Sequence, residues 1–377
     1  MKKYLSILTF LGFFASLQAQ TNDNFKEFRP GGEKSVRSGM DISPDGKTVA
    51  IAGMQGFPLF IYDWENDKVL KKFDVGNWYA GAKVDYSHKG TYLLLQQTFY
   101  NDYSPNKDRE VDFEIVDAEN GKIVQKINKA HSVKIANSET FYVVLSGDKV
   151  DFHELPSGKK IKTLNVDRAT NAVAISPDEK WLAVSHRPTL EQVKNAPTIR
   201  NDKKAKKAIK PALKYREMVS IYNAETLKLE KTVNELYDII YRLQFSADGS
   251  KLYNYSIPHT KMQTSTAGRQ GYIYSVDMPS GTPSRTAYMT LAPYEPDFKE
   301  YKNKEIFVVV SNDKFAEVVL YNLNNGRPLV KFNLAMRLGD AFRTGMGVDA
   351  RASFALLPNN KIYIASGTKS IIWDPEL

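Results

Sequence analysis

Cysteine is absent from the 377 residues of this sequence. The absence excludes disulfide bonds, thiolate metal sites and cysteine nucleophiles, so packing has to stabilise the fold. The sequence also lacks the Gly-x-Ser-x-Gly elbow of serine hydrolases, the His-Glu-x-x-His zinc motif and a glycine-rich phosphate loop. Its five histidines are scattered among different repeats. We therefore expect a protein without catalytic residues, cofactor or metal site.

Long apolar runs are also missing, except near the first residue. Two lysines precede an apolar run over residues 4–17, and small and polar residues follow at 18–20. This order is typical of a secretory signal peptide with cleavage near Ala19, and the run is shorter than the roughly 20 residues that span a bilayer. We expect residues 1–20 to be removed. Residues 21–377 would then form one exported domain without an integral membrane segment, periplasmic or, alternatively, extracellular.

Two short phrases alternate along the rest of the chain. The first is an apolar stretch that ends in a Ser-Pro-Asp-Gly type of turn and is followed by another apolar stretch. Its clearest turns are Ser43-Pro44-Asp45-Gly46, Ser87-His88-Lys89-Gly90, Ser176-Pro177-Asp178-Glu179 and Ser246-Ala247-Asp248-Gly249. Because proline fixes φ, and Asp and Gly accept turn geometry, each phrase predicts a tight hairpin between two strands.

The second phrase is an alternating aromatic or β-branched strand that ends in an acidic residue or asparagine. Seven copies end at Asp63, Asp117, Glu154, Asn223, Asp277, Asn322 and Asp374. They follow one another at intervals of 37 to 69 residues. A four-stranded propeller blade has about 40 residues, so these intervals fit one blade plus insertions. The pattern predicts an all-β fold, a seven-bladed β-propeller, with six or eight blades as less favoured counts.

The last copy leaves no residues for a fourth strand. A segment at 25–29 precedes the first complete repeat, and we expect it to pair as the outer strand of the last blade and close the ring. With these repeats, and above all the phrase Ser43-Pro44-Asp45-Gly46-Lys47, the chain resembles WD40-like, YVTN-like and TolB-type propellers. The resemblance implies the fold and little about function, because such propellers serve as scaffolds, binders and enzymes.

Three repeats carry insertions between their second and third strands, at residues 99–110, 188–216 and 258–269. In a propeller these connections open on one face of the disc, and long loops are where recognition is usually placed. The 188–216 segment holds nine Lys and Arg against two acidic residues, so its net charge of +7 equals that of the chain without Lys2 and Lys3. A basic charge confined to one segment argues against a nucleic-acid partner.

Within the basic segment, apolar residues follow helical spacing at 205, 208, 209, 212 and 213, and Pro211 would break or restart that helix. Two interpretations stay open: an amphipathic basic helix that docks on an acidic protein surface or on anionic head groups, and a mobile, solvated loop. The other two insertions are rich in Tyr, Asn and other polar residues, which suit protein or sugar recognition. The residues predicted to bind a partner are Tyr100, Tyr103, Lys203, Lys204, Lys206, Lys207, Lys210, Lys214 and His259.

The leading functional hypothesis is a non-enzymatic protein-interaction module of the cell envelope. In its more specific form, the protein is an accessory subunit of an outer-membrane assembly or a protein-export machine. One alternative is a lactonase-like or quinoprotein-like enzyme with a site at the channel mouth, where Asp41, Asp85, Lys134 and Arg242 fall on predicted inner strands. Another alternative is a carbohydrate-binding propeller.

Overall fold

The computed structural model describes residues 26–28, 37–54, 58–76, 78–98, 110–200, 205–259, 261–262, 271–289, 298–301, 306–311, 317–322, 328–333, 352–366 and 369–375. The predicted signal peptide lies outside these residues. So do four members of the predicted binding set, Tyr100, Tyr103, Lys203 and Lys204. Among the helices of the described residues, none is long and apolar enough to cross a lipid bilayer.

The described residues form seven antiparallel sheets of four strands each, which confirms the predicted all-β fold. A short strand, β1 (Lys26–Phe28), comes first in the chain. Sheet I contains β2 (Arg37–Ile42), β3 (Thr48–Gly53), β4 (Pro58–Asp63) and β5 (Lys68–Asp74). Sheet II contains β6 (Ala82–Tyr86), β7 (Tyr92–Gln97), β8 (Val111–Asp117) and β9 (Ile123–Ala130). Sheet III contains β10 (Ser132–Ile135), β11 (Phe141–Ser146), β12 (Lys149–Glu154) and β13 (Lys160–Asn165).

The remaining sheets follow in chain order. Sheet IV contains β14 (Ala169–Ile175), β15 (Trp181–His186), β16 (Met218–Asn223) and β17 (Leu229–Thr232). Sheet V contains β18 (Ile239–Phe245), β19 (Lys251–Ile257), β20 (Gly271–Asp277) and β21 (Thr282–Met289). Sheet VI contains β22 (Phe298–Tyr301), β23 (Ile306–Ser311), β24 (Glu317–Asn322) and β25 (Pro328–Asn333). Sheet VII contains β26 (Ala352–Leu356), β27 (Ile362–Ser366), β28 (Lys369–Trp373) and β1.

The pairing of β1 joins the two ends of the described chain. Lys26 lies opposite Ile372, and Phe28 lies opposite Ser370. Sheet VII therefore has the strand order β1-β28-β27-β26, and β28 has a hydrogen-bonded neighbour on both sides. This pairing confirms the prediction that the 25–29 segment supplies the outer strand of the last sheet.

The serine-containing turns owe their shape to a repeated set of hydrogen bonds. In the first turn, the Ser43 hydroxyl donates to the Asp45 carboxylate at 2.7 Å and accepts from the Thr48 amide at 3.0 Å. Ser176 and Ser246 make equivalent bonds in sheets IV and V. Because a serine followed two residues later by Asp satisfies the turn locally, the phrase forms the hairpin between the first and second strands, as predicted.

The polar ends of the second phrase bind the turn that follows the third strand. The Asp63 carboxylate accepts the amides of Glu65 and Asn66 at 3.2 Å and 3.0 Å. Asp117 and Asn223 accept amides at the same offsets in sheets II and IV. One side chain thus satisfies two backbone donors of the turn, which explains why Asp or Asn recurs there.

The core lies between the sheets. Clusters of buried side chains join sheets I and II, II and III, III and IV, IV and V, VI and VII, and VII and I. The first strands of these sheets also lie side by side: β26, β2 and β6 form one such run, and β10, β14 and β18 form another. A sheet that is covered on both faces favours continuous apolar strands, and β3 is buried from Val49 to Gly53.

The first strand of sheet VI is the element that the sequence predicted least well. The repeated phrases mark no clear strand before β23, and β22 begins at Phe298. Phe298 pairs with Val309, and Tyr301 pairs with Ile306. The four residues of β22 show little apolar alternation, so the local sequence pattern does not identify this strand. Its pairing with β23 defines it.

Candidate functional site

The 188–216 insertion folds into three helices between β15 and β16, the second and third strands of sheet IV. They are α1 (Leu190–Asn195), α2 (Pro197–Arg200) and α3 (Ala205–Tyr215). Thr189 caps α1 in a capping box with Gln192, which satisfies the free amides of the first turn. The helices share an apolar cluster with the adjoining chain, formed by Val193, Ala196, Ile199, Ala212, Met218 and Leu236. They are therefore docked on the sheets as a unit.

The described part of this insertion is helical, so a solvated loop is the wrong interpretation there and an amphipathic helix is the right one. Docking of this helix on an acidic surface stays a prediction. Ala208, Ile209 and Leu213 pack against the apolar cluster. The expected break at Pro211 is also wrong, because α3 runs through this residue. Proline removes one hydrogen bond, to the carbonyl of residue 207, and Lys207 is exposed to water. Packing on both sides of Pro211 stabilises the helix despite that loss.

The opposite side of α3 carries a row of exposed lysines, which we call the lysine face: Lys206, Lys207, Lys210 and Lys214. Within the described residues, none of these four side chains forms a salt bridge with an acidic group. The lysines project from a helix that is fixed by its apolar side. The lysine face therefore presents uncompensated positive charge in a defined arrangement.

A cleft of about 700 Å³ lies between the helices and the outer strands of sheet V. The helices supply an apolar wall that includes Ile199 and Pro211, and the polar groups of the cleft include Arg216, Glu235 and Tyr274. Burial raises the pKa of the Tyr274 hydroxyl, so this group stays protonated and can donate a hydrogen bond. A cleft of this size and mixed lining is suited to hold an apolar side chain beside polar groups.

A buried carboxylate fastens the base of the insertion to sheets IV and V. Glu217 is 0 % exposed, and one of its carboxylate oxygens accepts from the Ile240 amide at 2.8 Å and the Thr170 hydroxyl at 3.1 Å. Its other oxygen lies 3.5 Å from the Arg187 guanidinium. Through this carboxylate, Glu217 just before β16 contacts Arg187 just after β15 and Ile240 in sheet V.

Two further arginines hold the insertion. Arg216 forms a salt bridge with Asp238, whose burial raises its pKa while the guanidinium opposes that rise. Arg168 donates to the carbonyl oxygens of Pro188 and Leu213, at 2.8 Å and 3.3 Å. Arg168 thus contacts both ends of the insertion, which fixes the helices relative to sheet IV.

Two histidines beside the insertion, His186 and His259, are buried. His186 bonds to the Ser220 hydroxyl at 2.8 Å, and burial lowers the pKa of its imidazole. His259, which we predicted as an accessible binding group, is only 9 % exposed. Its ring packs on Tyr215 with 4.3 Å between ring centroids. His259 is therefore a packed residue against the end of α3, beside the lysine face.

The charged residues predicted on inner strands do converge at another place. Arg242 and Asp85, from sheets V and II, approach to 3.6 Å. Together with Lys134 they line a cavity of about 370 Å³. Asp41 instead accepts the amide of Tyr86 at 2.8 Å. Among the residues that the structure describes, no group of three or more His, Asp or Glu side chains is placed to hold a metal ion.

Sequence reasoning missed three residues that build the insertion-bearing face: Tyr215, Glu217 and Asp238. Tyr215 and Glu217 flank Arg216 at the end of the basic segment, where a single acidic residue beside β16 gave no periodic signal. Asp238 precedes β18 and lies 22 residues from its partner Arg216. Only the packing of sheet V against sheet IV brings these groups together.

Comparison of the sequence with protein-family models gives no match, and comparison with curated proteins gives none either. The functional argument therefore rests on the residues of this chain.

Proposed function

We propose that this protein is an exported, seven-bladed β-propeller that acts as a non-enzymatic protein-interaction module of the cell envelope. Its partner is acidic and docks on the lysine face of the helical insertion. In the more specific form of the proposal, the protein is an accessory subunit of an outer-membrane assembly or a protein-export machine. The repeats also support membership of the WD40-like, YVTN-like or TolB-type propellers.

Three observations support the propeller. Each of the seven sheets has four strands in chain order, apart from the last, which takes its fourth strand from β1. Buried clusters join consecutive sheets, and first strands lie beside first strands. A ring would also require contact between sheets V and VI. Many side chains of sheet VI lie outside the described residues, so ring closure is part of the proposal.

One observation carries the proposed function: four exposed lysines share one side of an ordered helix, α3, that is docked through its other side. Lysine side chains on a mobile loop lose conformational entropy when a partner fixes them. On α3 the backbone is already fixed, so part of that cost is absent. Complementary charge across an interface accelerates association and selects among partners.

Reversing the charge of the lysine face should weaken binding of the partner roughly 100-fold. The variant combines Lys206→Glu, Lys207→Glu, Lys210→Glu and Lys214→Glu. The partner is first captured by crosslinking in the cell envelope and identified, and its dissociation constant is then measured with purified proteins. Since the attraction is electrostatic, the binding of the unmodified protein should also weaken as salt concentration rises.

A matched control reverses four exposed lysines at the turns between third and fourth strands: Lys68, Lys122, Lys159 and Lys228. Both variants change the net charge of the chain by the same amount. The control should bind its partner within about threefold of the unmodified protein, because those turns lie at the other edge of the sheets. Equal weakening by the two variants would show that overall charge matters and would contradict a specific lysine face.

A further inference from the structure

The residues around His259 form a compact cluster at the edge of the lysine face. The His259 ring packs on Tyr215, and the ammonium group of Lys214 lies 5.5 Å from the centre of the Tyr215 ring. Lys261 follows two residues after His259, and Arg187 contributes positive charge from the end of β15. We call these five residues the His259 cluster. It joins α3, the residue after β15 and the connection that follows β19.

The proton on the imidazole of His259 can be placed from its hydrogen bond. The amide of Lys261 donates to Nδ1 at 3.1 Å, so Nδ1 is the acceptor and the neutral ring carries its proton on Nε2. Within the described part of the chain, Nε2 has no hydrogen-bond partner. His259 is 9 % exposed and its ring is held by Tyr215, and no group of the described chain uses its Nε2–H donor.

The charge around this donor is positive. Arg187 is balanced by Glu217, but neither Lys214 nor Lys261 forms a salt bridge within the described residues. Burial lowers the pKa of the His259 imidazole, and the charges of Arg187, Lys261 and Lys214 lower it further. His259 is therefore neutral at pH 7 because protonation would add a further positive charge to this cluster. An anion would remove that penalty.

We infer that the His259 cluster is a binding site for an oxyanion. Nε2–H of His259 donates a hydrogen bond to the anion, Lys214 and Lys261 supply compensating charge, and Tyr215 holds the imidazole in place. The chemical class is a carboxylate or a tetrahedral oxyanion of the sulfate or phosphate type. An acidic side chain of the proposed partner would supply the carboxylate, and for that source alone the inference rests on the proposed function.

The test follows the Cε1–H signals of the five histidines by NMR in the full chain labelled with ¹³C-histidine, with His259→Gln used to assign the signal. Sulfate is the first probe because it keeps its charge across the pH range of the titration, and acetate is the second. We expect sulfate to raise the pKa of His259 by about one unit and to leave the other four histidines unchanged. Anion affinity should then increase as the pH falls, because the bound anion favours the protonated ring.

The two probes distinguish the possible sources of the anion. A response to acetate as well as to sulfate supports recognition of a carboxylate, and a response to sulfate alone supports a tetrahedral oxyanion. If neither probe changes the pKa of His259, the inference is overturned.

Matched lysine variants test the geometry. In Lys214→Gln/Lys261→Gln, the pKa of His259 should rise without anion, and the response to sulfate should be lost. In Lys206→Gln/Lys210→Gln, which removes two charges from the same helix, the response should remain. An equal response of the His259 pKa to sulfate in the two variants would show that the effect depends on general charge. That result would overturn the inferred anion site.

These measurements need no partner protein. A negative result in these titrations would therefore leave partner binding by the lysine face possible. A positive result could likewise be obtained if partner binding does not depend on that face.

Discussion

Replacement of Glu217 with alanine is expected to lower the free energy of unfolding by about 3–5 kcal/mol. Glu217 is completely buried, and its carboxylate is the acceptor for the Ile240 amide and the Thr170 hydroxyl. Its removal takes away the carboxylate that lies 3.5 Å from the largely buried Arg187 guanidinium. A buried charge that loses its partner lowers the free energy of unfolding by far more than an exposed ion pair adds to it. Equilibrium denaturation in urea measures the change.

Two further variants separate the causes. Glu225→Ala removes an exposed carboxylate close in sequence and should change the free energy of unfolding by less than about 0.5 kcal/mol. Glu217→Gln keeps an acceptor for the Ile240 amide but lacks the charge, so it should fall between Glu217→Ala and the unmodified protein. A loss below 1 kcal/mol in Glu217→Ala would contradict a fastening role for this carboxylate.

Replacement of Trp373 with alanine should cost about 3–5 kcal/mol through the cavity that it creates. Trp373 is 1 % exposed, and its ring lies 5.2 Å from that of Phe332 in the cluster that joins sheets VI and VII. It also ends β28, the strand that pairs with β1. The variant should therefore weaken both the contact between these sheets and the attachment of the N-terminal strand. Thermal unfolding and urea denaturation report the loss.

A control for this variant is Tyr79→Ala, because Tyr79 is 62 % exposed. Its expected cost is below about 1 kcal/mol. Limited proteolysis adds a local measurement: cleavage near residues 26–28 should accelerate in Trp373→Ala and stay unchanged in Tyr79→Ala. Similar stability of the two variants would contradict the packing role assigned to Trp373.

The strands and their turns could be predicted from the sequence because both depend on neighbouring residues. Ser43 and Asp45 form their turn with bonds that reach at most five residues. Asp63 binds amides two and three residues ahead. The pairing of β1 with β28 was predicted in a different way, by noting which strand the last repeat lacked.

The candidate site was predicted only in part. Helical spacing in the basic segment indicated α3, and its exposed lysines were identified one by one. The same spacing could not decide between a docked helix and a solvated loop, because that choice depends on Leu236 and Met218 as packing partners. Pro211 was overrated as a helix breaker for the same reason, since tertiary packing offsets the hydrogen bond that it removes.

The sequence by itself determined the repeat, the order of strands and turns, and the confinement of net positive charge to one insertion, because each is set by residues within a few positions of one another. Only the tertiary structure decided that His259 is buried against Tyr215, that Glu217 ties Arg187 to sheet V, and that α3 is held with its lysines outward. These contacts join residues that lie tens of positions apart, and they depend on how sheet V packs against sheet IV.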